Sequence, residues 1–229
     1  AASMVFDGME HLLHILLAML LLERGVTVSR DDEGRLGLCL LAMLAVSARY
    51  ESIFLVAAIA AVLWRKPFTA GGVLLAGLST PLLYGTWAVS EGWPPLPTGI
   101  MMKTAALEPT FSGQLMATLN RLVSNLYGLF PAVIAGAAGL LWWSIRPGSR
   151  SSERARLIGL VVPLHVALAG QGNLFRYEAW LAALLVFALL PGVAAGLSAL
   201  WSRTAGWERR GVLVLAIGFL SLPLLQRGL

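Results

Sequence analysis

The chain has 229 residues, of which 58% are hydrophobic and 13% are charged, about half the charged share of an ordinary soluble domain. Its mean hydropathy is +0.77. Apolar runs close to the roughly 20 residues that cross a bilayer recur along the chain, and the two-residue alternation of a membrane β-barrel is absent. The composition predicts an all-α fold, a polytopic transmembrane helical bundle forming one domain over residues 1–229.

The net charge of +5 would suggest a nucleic-acid partner in a soluble protein. Here the arginines cluster in short segments between apolar runs, which is the pattern of membrane topology, so we expect no nucleic-acid partner. The single cysteine, Cys39, lies in an apolar run and has no partner for a disulfide within the chain. We expect no cofactor, because the sequence has neither Cys/His zinc spacing nor a Gly-rich phosphate loop.

The apolar runs predict about eight membrane spans. An amphipathic helix over 112–126 precedes the fifth, and the chain turns inward near Pro131. This helix has an apolar face and a polar face that includes Asn125, so we expect it to lie in the outer interface. The predicted spans are 5–22, 35–48, 52–64, 69–89, 126–145, 157–170, 179–200 and 211–225.

The lysines and arginines predict which loops face the cytoplasm. If the loops alternate between the two sides, 12 of the 17 basic residues fall on one side, which we assign to the cytoplasm. They are Arg24, Arg30, Arg35, Arg65, Lys66, Arg146, Arg150, Arg154, Arg156, Arg203, Arg209 and Arg210. The outer side keeps Arg49, Lys103, Arg121, Arg176 and Arg227.

The first predicted span carries a polar stripe, formed by Asp7, Glu10, His11 and His14 at helical spacing. Ionisable groups at membrane depth are costly and usually face a wet cavity or a partner. The stripe therefore suggests a polar cavity open to the outside, with an interfacial helix end as the alternative. A metal site is a further alternative, because two histidines at helical spacing can ligate zinc. The order differs from HExxH, however, and no third ligand is evident.

The tripeptide Arg-Tyr-Glu occurs twice, with Arg49 and Glu51 in the first copy and Arg176 and Glu178 in the second. Both copies precede an apolar run on the predicted outer side, where Lys103 also lies. An arginine offers a planar fork of donors that matches a phosphate, and a glutamate can hold that fork in position. The alternative is an interfacial anchor, in which the arginine snorkels toward lipid headgroups.

The order of these motifs resembles the C-terminal two-thirds of bacterial GT-C membrane glycosyltransferases, which use polyprenyl-phosphate sugars and include arabinofuranosyl, mannosyl and aminoarabinose transferases. The matching pieces span residues 8 to 178. The resemblance implies a multi-pass protein of the bacterial inner membrane that transfers a sugar on the outer face. Arg49, Lys103 and Arg176 would stabilise the donor phosphate, and Glu51 and Glu178 would orient the arginines or bind sugar hydroxyls. The pieces are Gly8-Met9-Glu10, Arg49-Tyr50-Glu51, Leu96-Pro97-Thr98 with Lys103, and Arg176-Tyr177-Glu178.

The sequence also departs from that family. The family pattern often has Arg-Pro-Glu or Arg-Pro-Asp where this chain has Arg-Tyr-Glu, and Leu-Pro-Asn-Thr where it has Leu-Pro-Thr. The family's catalytic aspartate lies in a loop after the first helix, and no such loop precedes Gly8. We therefore expect missing upstream helices and a catalytic residue outside this chain. Two alternatives remain open: a transporter or flippase-like protein, and a non-catalytic membrane subunit that binds an anionic lipid-linked substrate.

Overall fold

A computed structural model describes residues 2–31, 33–95, 111–146, 148–168 and 179–203. Within these ranges the regular structure is entirely helical, as the sequence predicts. The predicted span 211–225 and most of the predicted outer loop lie outside the described residues. The described α-helices are α1 (Ala2–Asp31), α2 (Arg35–Ala48), α3 (Ile53–Val62), α4 (Pro67–Ser90), α5 (Phe111–Gly128), α6 (Phe130–Ile145), α7 (Arg150–Leu168) and α8 (Ala179–Arg203).

Several helices continue beyond the apolar runs that predict them. Helix α1 runs to Asp31, so the prediction that Arg24 lies in a loop was wrong. Helix α7 begins at Arg150, seven residues before the predicted start at 157. The two extensions meet in an ion pair, in which Arg154 Nε donates to Glu23 Oε2 at 2.7 Å. Charged residues remain helical here because a partner on the neighbouring helix stabilises them.

The region of Pro131 separates two helices, as predicted, but the helix boundary differs. The prediction began a span at residue 126, whereas α5 continues to Gly128 and α6 starts at Phe130. Proline is favoured in the first turn of a helix, because its missing N–H would have no partner there. Pro131 occupies that place in α6.

Helix α3 is short and lies at the centre of the bundle, where it contacts α1, α4 and α7. Its ten residues, IFLVAAIAAV, carry no polar side chain. An all-apolar helix has no side suited to water, and half of its residues are buried: Leu55, Val56, Ala58, Ile59 and Ala60. Small residues let neighbouring helices approach it closely, as where Gly77 of α4 packs against Val56.

Much of the surface is apolar, while several polar side chains are inside. Leucines on the outer ridge of α2, Leu36, Leu40 and Leu44, are exposed. Phe68 is 93% exposed, whereas His14 and His165 are 0% exposed. A soluble monomer rarely shows large contiguous apolar patches. Two described helical segments, His11–Asp31 and Pro67–Ser90, are long and apolar enough to cross a membrane, and four shorter helices are apolar.

The chain forms two compact units, Ala1–Leu189 and Leu190–Leu229. The first unit contains α1 to α7 and the beginning of α8, including all residues of the candidate site. The described part of the second unit is the remainder of α8, with Pro191 inside the helix.

Candidate functional site

The first Arg-Tyr-Glu motif lies in the break between α2 and α3. Arg49 ends α2 with an extended backbone, φ −155° and ψ 132°, and Tyr50–Ser52 form one 3₁₀ turn before α3 starts. The Arg49 N–H still donates to the Ala45 carbonyl at 3.0 Å, and Ser52 N–H donates to the Arg49 carbonyl at 3.1 Å. The extended backbone of Arg49 ends α2 and separates it from α3.

The Arg49 guanidinium joins α1 to this break. Its Nη1 donates to His11 Nδ1 at 2.6 Å. Its Nε and Nη2 donate to the two carboxylate oxygens of Glu51 at 3.4 and 3.2 Å. The Arg49 side chain is 10% exposed and that of Glu51 is 24% exposed. An interfacial anchor would extend toward the headgroups, whereas this arginine is held inside by a histidine and a carboxylate.

The contact with His11 has a fixed direction. Arginine only donates hydrogen bonds, so His11 Nδ1 is the acceptor in it. The guanidinium has five N–H donors, of which the bonds to His11 and Glu51 use three. The arrangement holds the guanidinium in one position, with a carboxylate and an imidazole on its donors.

A second pair, His14 and Ser52, lies directly beside the first. His14 Nε2 and Ser52 Oγ are 2.7 Å apart, and both side chains are 0% exposed. We call His11, His14, Arg49, Glu51 and Ser52 the polar cluster. A serine nucleophile needs a base that a third group orients, but His14 Nδ1 has no hydrogen-bond partner among the described residues. The described residues therefore show a buried His14–Ser52 contact without a third group that orients the histidine.

All three histidines of the chain belong to one region of the fold. The ring centroids of His14 and Trp180 are 5.3 Å apart, and those of His165 and Trp180 are 5.6 Å apart. Phe54 meets His165 edge-on at 5.2 Å. The sequence contains no pattern that links His165 or Trp180 to the first helix. The first residues of α8 are apolar and do not indicate a contact with a histidine. The contact depends on how the helices are arranged in the fold.

The sequence predicts that the polar stripe of the first helix faces the protein. This holds for His14, which is fully buried, and for His11, which binds Arg49. The backbones of Asp7 and Glu10 belong to α1, but their side chains lie outside what the structure describes.

Three other predicted site residues, Lys103, Arg176 and Glu178, lie outside the described residues. Of the predicted phosphate-binding groups, Arg49 and Glu51 are therefore the ones that the structure describes. In the described ranges no group of three or more His, Cys, Asp or Glu side chains is arranged to hold a metal ion.

Comparison with known proteins gives no match. No family model matches the chain, and neither a curated protein nor a solved structure is significantly similar to it.

Proposed function

We propose that this chain is a multi-pass membrane protein whose polar cluster binds the phosphate of a polyprenyl-phosphate-linked sugar. In this proposal it forms the membrane part of a glycosyltransferase that acts at the outer face of a bacterial inner membrane. The observation that carries the proposal is Arg49, an arginine held inside an apolar helical bundle by His11 and Glu51.

The distribution of side chains supports the membrane setting. Exposed leucines follow one ridge of α2, and Phe68, Leu75 and Leu83 are exposed on α4. Contact of such a surface with water costs a free energy of about 25 cal/mol for each Å² of apolar area, whereas contact with lipid tails does not carry this cost. Helix α5 corrects the prediction for Asn125, which was expected on the polar face of an interfacial helix. Val123 is exposed, whereas Asn125 is buried and donates to the Val166 carbonyl at 3.0 Å, so this part of α5 has an apolar outer side.

The geometry of Arg49 supports phosphate binding in particular. When a sugar leaves its lipid phosphate, negative charge develops on the phosphate oxygens, and fixed donors stabilise that charge. Glu51 and His11 hold the guanidinium in one place before the substrate arrives. Such preorganisation lowers the cost of ordering the side chain on binding.

A transporter is the second candidate, and the buried histidines favour it. His14 and His165 lie inside apolar helices, and intramembrane histidines often belong to ion or proton pathways. In that case the polar cluster binds the lipid-linked anion without breaking a bond.

A binding experiment tests the phosphate site. Wild-type protein in detergent micelles should bind a polyprenyl phosphate and not the uncharged polyprenol, as measured by titration calorimetry. Arg49→Gln should weaken this binding by about tenfold to a hundredfold. This factor corresponds to the free energy of one hydrogen bond to a charged group. Arg49→Lys keeps the charge but loses the fork, so it should also weaken binding.

Arg30→Gln is the matched control, because Arg30 is exposed and remote from the cluster in α1. Equal affinity for the phosphate and the alcohol, or an unchanged affinity in Arg49→Gln, would contradict the proposal. Proteoliposomes that contain a labelled polyprenyl-phosphate sugar separate the two candidates: a transferase releases the free lipid phosphate, and a transporter moves the intact lipid.

A further inference from the structure

The helix ends opposite the polar cluster carry more basic than acidic residues, and we call their surface the basic end. It comprises the described residues within 23–35, 64–66 and 146–156, and in the sequence these segments contain nine basic and five acidic residues. Side-chain contacts bring these segments together. Lys66 Nζ donates to the carbonyls of Val28 and Ser29 at 2.9 and 3.2 Å, and Arg154 pairs with Glu23.

Six of the nine basic residues of this end fall into two groups. Of the other three, Arg30 and Arg35 are exposed on the same end, and Arg156 pairs with Glu153. The inward group is used within the fold: Arg24 donates to the Gly34 carbonyl at 3.3 Å, Lys66 binds the last turns of α1, and Arg154 pairs with Glu23. A cation near the carboxyl end of a helix stabilises the unpaired carbonyls there. These three side chains therefore join helices.

The outward group consists of Arg65, Arg146 and Arg150, all exposed, although Arg150 also lies within ion-pair distance of Glu23, at 3.9 Å. The Arg65 guanidinium carbon lies 5.2 Å from the Trp64 ring centroid, and that of Arg146 lies 5.4 Å from the Trp142 ring centroid. A guanidinium over an aromatic ring is held there by cation–π attraction, which does not use its N–H groups as hydrogen-bond donors, and those donors match phosphate oxygens. Tryptophan is itself enriched at the headgroup level of membranes.

We propose that Arg65 and Arg146, each stacked on its tryptophan, form a contact surface for anionic phospholipid headgroups in the leaflet at the basic end. The excess of basic residues complements a negatively charged leaflet, and the stacked rings position the guanidinium groups at headgroup depth. The inference rests on the proposed membrane insertion, but it concerns the end of the bundle opposite the polar cluster.

The test compares reconstitution into vesicles of phosphatidylcholine alone and with added phosphatidylglycerol. Native mass spectrometry of protein released from the mixed vesicles should find phosphatidylglycerol retained in preference to phosphatidylcholine. The double variant R65Q/R146Q should reduce this preference by about thirtyfold, since each basic residue near the surface favours anionic lipid by about fivefold. High salt should reduce the wild-type preference in the same direction.

Arg154→Gln is the matched control, because it removes one basic residue of the inward group. It should lower the melting temperature in both lipid mixtures and leave the phosphatidylglycerol preference unchanged. Insertion into both vesicles with no lipid preference, or a preference that R65Q/R146Q does not change, overturns this inference alone. Displacement of the lipid by inorganic phosphate at matched ionic strength also overturns it. Failure to insert into either vesicle overturns the proposed function as well.

Discussion

Arg49 shows at the scale of a single residue what the sequence can predict. Its position beside a tyrosine and a glutamate, before an apolar run, predicts either an anion site or an interfacial anchor. The contact with His11 favours the first interpretation, because the side chain is held inside the protein. The sequence could not distinguish these two interpretations, because His11 is 38 residues from Arg49 along the chain. No local pattern indicates that two residues so far apart are in contact.

The buried pair of His14 and Ser52 gives a prediction about stability. Ser52→Ala removes the partner of His14 Nε2 in a fully buried site. An unsatisfied buried polar group costs about 1–3 kcal/mol, so the free energy of unfolding should fall by that amount. Thermal and denaturant unfolding in one detergent, followed by circular dichroism, measures the change.

The double variant H14F/S52A supplies the control. Phenylalanine keeps a ring against Trp180 and, together with alanine, removes both polar partners. Replacing both members of a buried pair by apolar groups is nearly neutral, so the double variant should be more stable than Ser52→Ala. If Ser52→Ala and wild-type protein unfold at the same denaturant concentration, the hydrogen bond contributes nothing to stability.

At the scale of helices, apolar runs predict where the helices are but not how closely they approach each other. Helices α6 and α7 meet through glycines. An added Cβ at Gly139 would lie 2.9 Å from the Ala155 carbonyl oxygen, and one at Gly159 would lie 2.4 Å from Leu140 Cγ. Small residues allow close packing of membrane helices. The sequence contains 24 glycines, and only the helix arrangement distinguishes those at a contact from the rest.

Gly139→Ala should therefore destabilise the α6–α7 pair. The added methyl group meets a backbone oxygen, which cannot move aside as a flexible side chain can, and overpacking of this kind costs about 1–3 kcal/mol. Gly71→Ala in α4 is the matched control, because an added Cβ there has nothing within 4 Å. Alanine is also a better helix former than glycine by about 1 kcal/mol, so Gly71→Ala should not destabilise α4. Differential scanning fluorimetry in detergent should show a lower melting temperature for Gly139→Ala alone, and equal values for the two variants would refute the close approach.

At the scale of the whole molecule, two chemically different ends follow from the alternating direction of the helices. In α1, His11 lies beside Arg49 at one end of the bundle. Near the other end of the same helix, the carbonyls of Val28 and Ser29 accept bonds from Lys66. Helix α7 runs the opposite way, from Arg154 beside Glu23 to His165 beside Trp180. The sequence predicted this separation from loop charges and apolar runs. It could not predict which polar residues pair, because the pairing depends on how the helices are arranged around α3.

The separation of the two ends leads to a topology prediction. Residues 146–156 should face the cytoplasm and residues 90–115 the outside, since 12 of 17 basic residues fall on the first side and basic loops are retained in the cytoplasm. The natural thiol, Cys39, is first replaced by serine, so that a single new cysteine reports each position. In intact cells a membrane-impermeant maleimide should label Thr104→Cys and not Ser151→Cys, and permeabilisation should make both reactive. Labelling of Ser151→Cys alone in intact cells would reverse the assignment. That result would also contradict the proposed binding of a polyprenyl phosphate at the outer face, because the polar cluster would lie at the cytoplasmic end of the bundle.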